Sequence, residues 1–374
     1  MRLITGIDTA MPDVGRRWNY HARWNQHEQF WQDDFRQLAS FGFDVLRWQL
    51  PWSMVEPARG EYRWDLIDPK VELATKLGMD IFYPIAHFNY PAWIAGRGVR
   101  HAVYSSDLPS HLADYTERLL ARYKFRLVIP VVEVQMDAFQ RGWLGNWQPH
   151  QKSRTSYRLI KANLVRAFRV SSAIARSHGA TVFCSEPASE VQTVLDLGNA
   201  VDVAGIDLYP HMHRKLSVVD YLRLWWASTG KPLCISEFGT PETYNPSTKV
   251  DDYARFIRAG VDEHRVAECR LLRAALEQAT AEGIPIPYGG WYPGTGNIGW
   301  GLSLTRERKT YDCDRAGLVD LTRTSDGTLT RVACDNLVCE VMALREVGQK
   351  PEAVPAWIPA VTAASPCPLF ASGD

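Results

Sequence analysis

The sequence predicts an α/β protein folded as a single (β/α)8 TIM barrel, and three observations lead to this fold. A chain of 374 residues is long enough for one such barrel. Short apolar runs alternate with longer amphipathic stretches, which is typical of parallel βα units. No glycine-rich fingerprint of a nucleotide-binding open sheet follows the first run. We expect the barrel in residues 1–350 and a Pro/Ala-rich C-terminal tail in residues 351–374.

The apolar runs are the predicted strands, and eight of them can be placed along the chain. They cover residues 3–7, 44–50, 80–86, 127–133, 181–186, 201–208, 233–237 and 286–291. Amphipathic helices are predicted between them, for example over residues 30–41 and 66–77. Gly42 and Gly78 follow these two helices, as expected of C-terminal caps.

The charge composition excludes several classes of function. Lys plus Arg number 42 and Asp plus Glu number 42, so a nucleic-acid partner, which favours a basic excess, is not expected. No apolar window is long enough to span a membrane. The first residues lack an export signal, so we expect a cytoplasmic protein, either a monomer or a homodimer. The seven cysteines are scattered without metal-ligand spacing, which predicts reduced thiols.

Polar residues stand where the predicted strands end, and in a (β/α)8 barrel these ends carry the chemistry. They include Arg47, His87, Glu133, Glu186, Tyr209, Glu237 and Trp291. Glu133 and Glu237 end the fourth and seventh runs, which face each other across an eight-stranded barrel. A buried carboxylate is costly unless it is paired or functional, and paired acids in different environments are typical of proton transfer combined with nucleophilic attack.

Several short motifs, in this order and spacing, resemble retaining glycoside hydrolases of the large (β/α)8 clan, and most of all relatives of the β-glucosidase family, glycoside hydrolase family 1. They are LRWQLPW at 46–52, VEP at 55–57, GEYRWD at 60–65, AHF at 86–88, IPVVEV at 129–134, GNWQPH at 145–150, ISEFG at 235–239 and GWYP at 290–293. The resemblance extends over roughly residues 1–323.

The resemblance implies a catalytic role for each matching residue. Glu237 would be the nucleophile and Glu133 the general acid/base, with their carboxyl groups about 5 Å apart, as in retaining enzymes. Arg47 and Tyr209 would contact and orient the nucleophile. His87 would hydrogen-bond the sugar, and Trp291 would form a stacking surface for it.

One position departs from the clan pattern. The clan has an asparagine directly before the acid/base, where it binds the sugar 2-hydroxyl, and this chain has Val132. Because valine cannot hydrogen-bond through its side chain, we expect a substrate without a recognised 2-hydroxyl, either a 2-deoxy sugar or another atypical glycoside.

Further residues near the strand ends are candidates for substrate binding. Gln135 and Asp137 follow Glu133 closely and either face the site or cap the next segment. Glu186 either hydrogen-bonds a ligand or its neighbours, or acts as a third catalytic acid. Trp52 lines the pocket or packs in the core. His211 and His213 have H-x-H spacing, but without a third ligand they do not predict a metal site.

Three functions therefore remain open. The first is hydrolysis of a small glycoside by a retaining mechanism. The second uses the same acid pair for a non-hydrolytic step in small-molecule biosynthesis, such as a dehydration, cyclisation or transglycosylation. The third is a sugar-binding barrel without turnover. All three predict a small sugar-like ligand, and none requires a metal or other cofactor.

Overall fold

Eight strand runs form one parallel sheet in the computed structural model, which describes residues 1–14, 17–95, 101–209, 215–239, 261–298, 300–305 and 316–348. The strands are β1 Arg2–Gly6, β2 Val45–Arg47, β3 Asp80–Ala86, β4 Leu127–Val131, β5 in two segments, Thr181–Val182 and Glu186–Pro187, β6 Ala204–Leu208, β7 Leu233–Phe238 and β8 Tyr288–Trp291. Each lies within or overlaps a predicted run.

The fifth strand run closes the sheet into a barrel because it pairs at both ends of the ladder. Thr181 pairs with Leu127 of β4, and Glu186 pairs with Ile206 of β6. Between these points, β4 continues through β3, β2, β1, β8 and β7 to β6. The predicted (β/α)8 fold is confirmed.

Helices follow the strands and cover the outside of the barrel. Those in the described residues are α1 His21–Trp24, α2 His27–Ser40, α3 Trp52–Val55, α4 Asp68–Lys76, α5 Leu108–Tyr123, α6 Val134–Gly142, α7 Arg154–Ser177, α8 Val191–Leu197, α9 Val218–Thr229, α10 Val261–Ala281, α11 Trp300–Thr305 and α12 Asp335–Ala343.

Local sequence sets the ends of several helices. The chain leaves α2 at Gly42, whose φ of 101° suits glycine, and Gly78 plays the same part after α4 with φ 74°. The Ser153 hydroxyl accepts a hydrogen bond from the Ser156 amide at 3.1 Å and so caps the start of α7.

The core has two layers. The outer layer lies between the sheet and the helices and contains most of the buried apolar residues. The inner layer fills the barrel with Ile4, Val45, Phe82, Leu127, Ile129, Val132, Phe183, Val203 and Cys234. Side chains that close the inside of the barrel leave its C-terminal mouth as the place for a site.

Two expectations from the sequence have different outcomes. Cys184, Cys234 and Cys269 are free thiols as expected, whereas Cys339 is disulfide-bonded, so the prediction that all seven are reduced is wrong. Among the helices of the described ranges, none is both long enough and apolar enough to cross a membrane. The predicted tail at 351–374 and the pair His211 and His213 fall outside the described residues.

Candidate active site

Three strand ends bring Arg47, Tyr209 and Glu237 together at the mouth of the barrel. The Arg47 guanidinium donates through Nη1 to Glu237 Oε1 at 2.7 Å, and the Tyr209 hydroxyl donates to Glu237 Oε2. A register shift between Ile235 and Glu237 in β7 sets the direction of this carboxylate. The structure therefore contains both contacts that the resemblance implied for Glu237.

Burial and pairing act in opposite directions on Glu237. Burial raises the pKa of Glu237 above its ordinary value, while the Arg47 cation and the Tyr209 hydroxyl oppose that rise. With a cation and a hydrogen-bond donor directly on its two oxygens, Glu237 is the carboxyl of this site whose anion is best stabilised.

Glu133 occupies a left-handed turn between β4 and α6. Its φ is 45° and its ψ is 59°, a conformation that is uncommon for a residue other than glycine. The Glu133 amide donates to the Ser185 carbonyl at 2.8 Å, which ties this turn to the neighbouring strand run. Strain of this kind is frequent where a side chain must be aimed at a site.

The Glu133 carboxyl has an environment unlike that of Glu237. Within the described residues it makes no side-chain hydrogen bond, and burial raises its pKa well above the ordinary value. Negative charge on Asp207, Glu237 and Glu186 raises it further, whereas Arg47 opposes the rise. The charge of Glu237 therefore affects the ionisation of Glu133, and Glu133 holds its proton more strongly than Glu237 does.

Glu186 supports the turn that carries Glu133. Its two carboxylate oxygens accept hydrogen bonds from the backbone amides of Val134 at 2.7 Å and Gln135 at 3.2 Å, at the start of α6. Glu186 is fully buried and both its oxygens are occupied, so it bonds its neighbours, which is one of the alternatives that the sequence left open.

His87 and Tyr292 complete the wall around Arg47. Burial, together with the Arg47 cation, lowers the pKa of His87 to about 3, although Asp8 opposes the shift, so the imidazole is neutral. His87 makes no hydrogen bond with any described residue, which leaves its ring nitrogens for a ligand. The Tyr292 ring lies under the Arg47 guanidinium, with 4.9 Å between the guanidinium carbon and the ring centroid.

Several buried polar atoms near the strand ends have no hydrogen-bond partner in the described part of the chain. They are Nε and Nη2 of Arg47, both amide atoms of Gln49, Oδ2 of Asp207, Oγ1 of Thr295 and Oδ1 of Asn297. Buried polar groups are almost always paired in folded proteins. Their concentration on strand ends and the loops after them therefore suits a polar, multiply hydroxylated ligand.

Three predicted binding residues lie elsewhere. Trp291 is fully buried, donates to the Ala316 carbonyl at 2.8 Å and packs in the outer core layer, so it offers no stacking face. Asp137 is fully buried and accepts from the Tyr90 hydroxyl at 2.6 Å and from Arg141.

The third is Trp52, which stacks on Tyr115 with 5.1 Å between ring centroids and donates to Glu56 at 2.8 Å. All three side chains are buried and held by packing or pairing, and for Trp52 this is the core packing that the sequence left open as an alternative.

Gln135 and Val132 flank Glu133 in different ways. Gln135 is half-buried on α6 and accepts from the Tyr157 hydroxyl at 2.5 Å. Val132 is fully buried in the inner layer of the barrel. No polar side chain is therefore supplied from position 132.

Asp207 and Asp8 are buried near the site and were missed in the sequence. Asp207 lies in β6 two residues before Tyr209, and residues two apart in a strand share a face, which is the signal that could have identified it. Asp8 follows β1 and accepts from His21 at 2.8 Å, Asn297 at 2.7 Å and Trp300 at 2.6 Å. No group of His, Cys, Asp and Glu suited to a metal ion occurs among the described residues.

Comparison with known proteins finds similarity to glycoside hydrolases. Residues 19–98 match the family model Glyco_hydro_42, described as "Beta-galactosidase". The family 1 β-glucosidase from Thermotoga maritima has the same fold, with a TM-score of 0.70 and 13% identity over 93% of this chain and 98% of the other. Its complex with glucoimidazole gives a TM-score of 0.71 and 14% identity with the same coverage.

A curated relative adds a partial match. Endo-1,4-beta-xylanase 1 of Gibberella zeae is 22% identical over 125 residues, which are 33% of this chain and 34% of the relative's length. The chain is similar to (β/α)8 glycoside hydrolases. The resemblance predicted from its motifs is thereby confirmed. The names of these similar proteins refer to different substrates.

Proposed function

We propose that the protein is a retaining glycoside hydrolase that acts on a small glycoside, with Glu237 as nucleophile and Glu133 as general acid/base. One observation carries this proposal. Arg47 and Tyr209 both bond to Glu237, whereas Glu133 has no such partner, so two acids in one buried site favour opposite protonation states.

The two protonation states suit a double displacement. In the first step the Glu237 carboxylate forms a bond to the anomeric carbon while the glycosidic bond breaks, and Glu133 gives its proton to the leaving oxygen. In the second step water attacks that carbon, Glu133 takes a proton from the water, and the ester bond to Glu237 breaks. The first step neutralises Glu237, which removes one of the charges that raise the pKa of Glu133.

The surroundings of the acid pair support an atypical substrate. Val132 is buried at the position where the clan resemblance expects the asparagine that binds the sugar 2-hydroxyl, so this position offers no side-chain amide. The neutral His87, the side-chain amide of Gln49 and the Oδ1 atom of Asn297 supply hydrogen-bonding groups for other hydroxyls. We infer a 2-deoxy glycoside, or one whose 2-position carries no recognised hydroxyl.

Covalent trapping tests this function directly. A 2-deoxy-2-fluoro glycoside with a good leaving group needs no 2-hydroxyl contact, so it should inactivate the enzyme and label Glu237, as read by peptide mass spectrometry. Glu237→Gln should abolish labelling. Glu133→Ala should still be labelled, and azide should restore its turnover of activated substrates, because azide fits the space left by the carboxyl and needs no base.

Glu72→Gln is the matched control, because Glu72 is exposed and pairs only with Lys76 on the surface. It should behave as the wild type. A panel that pairs each 2-deoxy aryl glycoside with its 2-hydroxy counterpart should favour the 2-deoxy member. Labelling at any residue other than Glu237, or ordinary rates on β-glucosides or β-galactosides, would contradict the mechanism or the substrate, respectively.

A non-hydrolytic reaction is the second candidate, and the apolar Val132 favours it. The same acid pair could then eliminate water, close a ring or transfer a glycosyl group to an acceptor. Labelling of Glu237 without release of free sugar from any glycoside would support this candidate. Ligand binding without labelling or turnover would instead support a binding protein.

A further inference from the structure

Asp207 is a third carboxyl at the floor of the site, and the mechanism above does not use it. It belongs to β6, where its position in the ladder is directly opposite Glu237 of β7. The side chain is 1% exposed. The pKa of a carboxyl that is buried beside a catalytic acid pair depends on the charges of that pair.

Two hydroxyls hold one of its oxygens, and the other is free of hydrogen bonds. Ser185, between the two segments of β5, and Ser236 of β7 both donate to Asp207 Oδ1 at 2.7 Å. Oδ2 is buried and has no partner among the described residues. The serines therefore fix the orientation of the carboxyl, while nothing neutralises it at bonding distance.

Many charged and titratable groups surround Asp207. From the strands and turns packed around it these are Arg47, Glu133, Cys184, Glu186, Tyr209, Cys234, Glu237 and Tyr292. Arg47 is the cation of this set, and its Nη1 is bonded to Glu237. Glu186 has two backbone amides on its oxygens. Glu133 and Asp207 are left to compete for protons without a cation of their own.

We propose that Asp207 is a positioning residue that keeps Glu133 in its acid form until Glu133 protonates the leaving group, a role that rests on the proposed function of Glu133. Burial and the neighbouring Glu237 anion raise the pKa of Asp207 to about 8, although the Arg47 cation and the hydrogen bonds from Ser185 and Ser236 oppose the rise. Glu237 ionises first, Asp207 follows, and the negative charge of Asp207 then opposes the ionisation of Glu133, whose pKa it raises. Asp207 thereby widens the alkaline side of the active pH range.

Asp207→Asn tests this role with little change in shape, since the amide oxygen still accepts from both serines. The variant should move the alkaline limb of kcat/KM to lower pH by about one unit or more, because a like charge near Glu133 is removed. The acidic limb, set by Glu237, should stay in place, since Asp207 is uncharged in that range. Asp202→Asn, at a partly exposed carboxylate paired with Arg176, is the matched control and should move neither limb.

A measurement without turnover separates this inference from the proposed function. Infrared difference spectra of the wild type should lose protonated-carboxyl absorption above neutral pH, and Asp207→Asn should remove the Asp207 step of this loss and shift the Glu133 step to lower pH. A uniform loss of activity with both limbs unmoved, or no carboxyl step above neutral pH, overturns the role of Asp207. An Asp207 step in a protein that turns over no glycoside leaves Asp207 as described and refutes the glycosidase.

Discussion

Arg47→Met isolates the effect of the cation on the nucleophile. Arg47 is 1% exposed, and its Nη1 lies 2.7 Å from Glu237 Oε1. An opposite charge at this distance lowers a carboxyl pKa by about 1–3 units, or about 1.4 kcal/mol for each unit. Methionine removes the charge and retains an unbranched buried chain. The pKa of Glu237, already raised by burial, should therefore rise by that amount.

The rate of inactivation by the 2-fluoro glycoside measures this shift, because only ionised Glu237 attacks. Its acidic limb should move up by about 1–3 pH units, and below the limb the rate should fall by about 10- to 1,000-fold. Arg223→Met is the control, since Arg223 pairs with Glu282 at the surface, where such pairs contribute about 0–1 kcal/mol. An unmoved limb in Arg47→Met would refute the assignment of Arg47 as the group that keeps Glu237 ionised.

Two further predictions concern the groups that hold the site in shape. Glu186→Gln keeps one acceptor oxygen but leaves the second backbone amide unsatisfied. The free energy of unfolding, measured in urea, should therefore fall by about 1–3 kcal/mol, and kcat on substrates with poor leaving groups should also fall. If both values stayed unchanged, Glu186 would not support the Glu133 turn. Asp8→Asn should cost about 3–5 kcal/mol at pH 7, because Asp8 is a buried partner of His21. Burial acts to raise the pKa of Asp8, but the contacts with His21 outweigh burial and the pKa is lowered. The stability that Asp8 contributes is therefore present above its ordinary pKa of about 4 and is lost as pH falls below that value. A wild-type advantage that is equal at pH 7 and at strongly acidic pH would contradict this prediction.

The sequence by itself determined the order of the strands and the polar residues at their ends. The periodic apolar runs required a closed parallel barrel, since each run is buried on both faces and is followed by a helix. From that order alone, polar residues at or just after the ends of β2, β4, β6 and β7 were expected to meet at one mouth. Arg47, Tyr209 and Glu237 do so in the structure, and the charges of Arg47 and Glu237 act on the pKa of Glu133.

The direction in which each side chain points was decided only by the tertiary structure. The left-handed turn at Glu133 and the register shift before Glu237 rotate the side chains after them, so strand alternation no longer says which of them face the mouth. Asp137, Trp52 and Trp291 are buried and bonded to Arg141, Glu56 and the Ala316 carbonyl. Asp207, inside an apolar run, became a buried acid facing Glu237. Spacing along the sequence determines which residues end a strand. The hydrogen-bond and packing partners of their side chains come from other parts of the chain, so these partners are determined only once the barrel has closed.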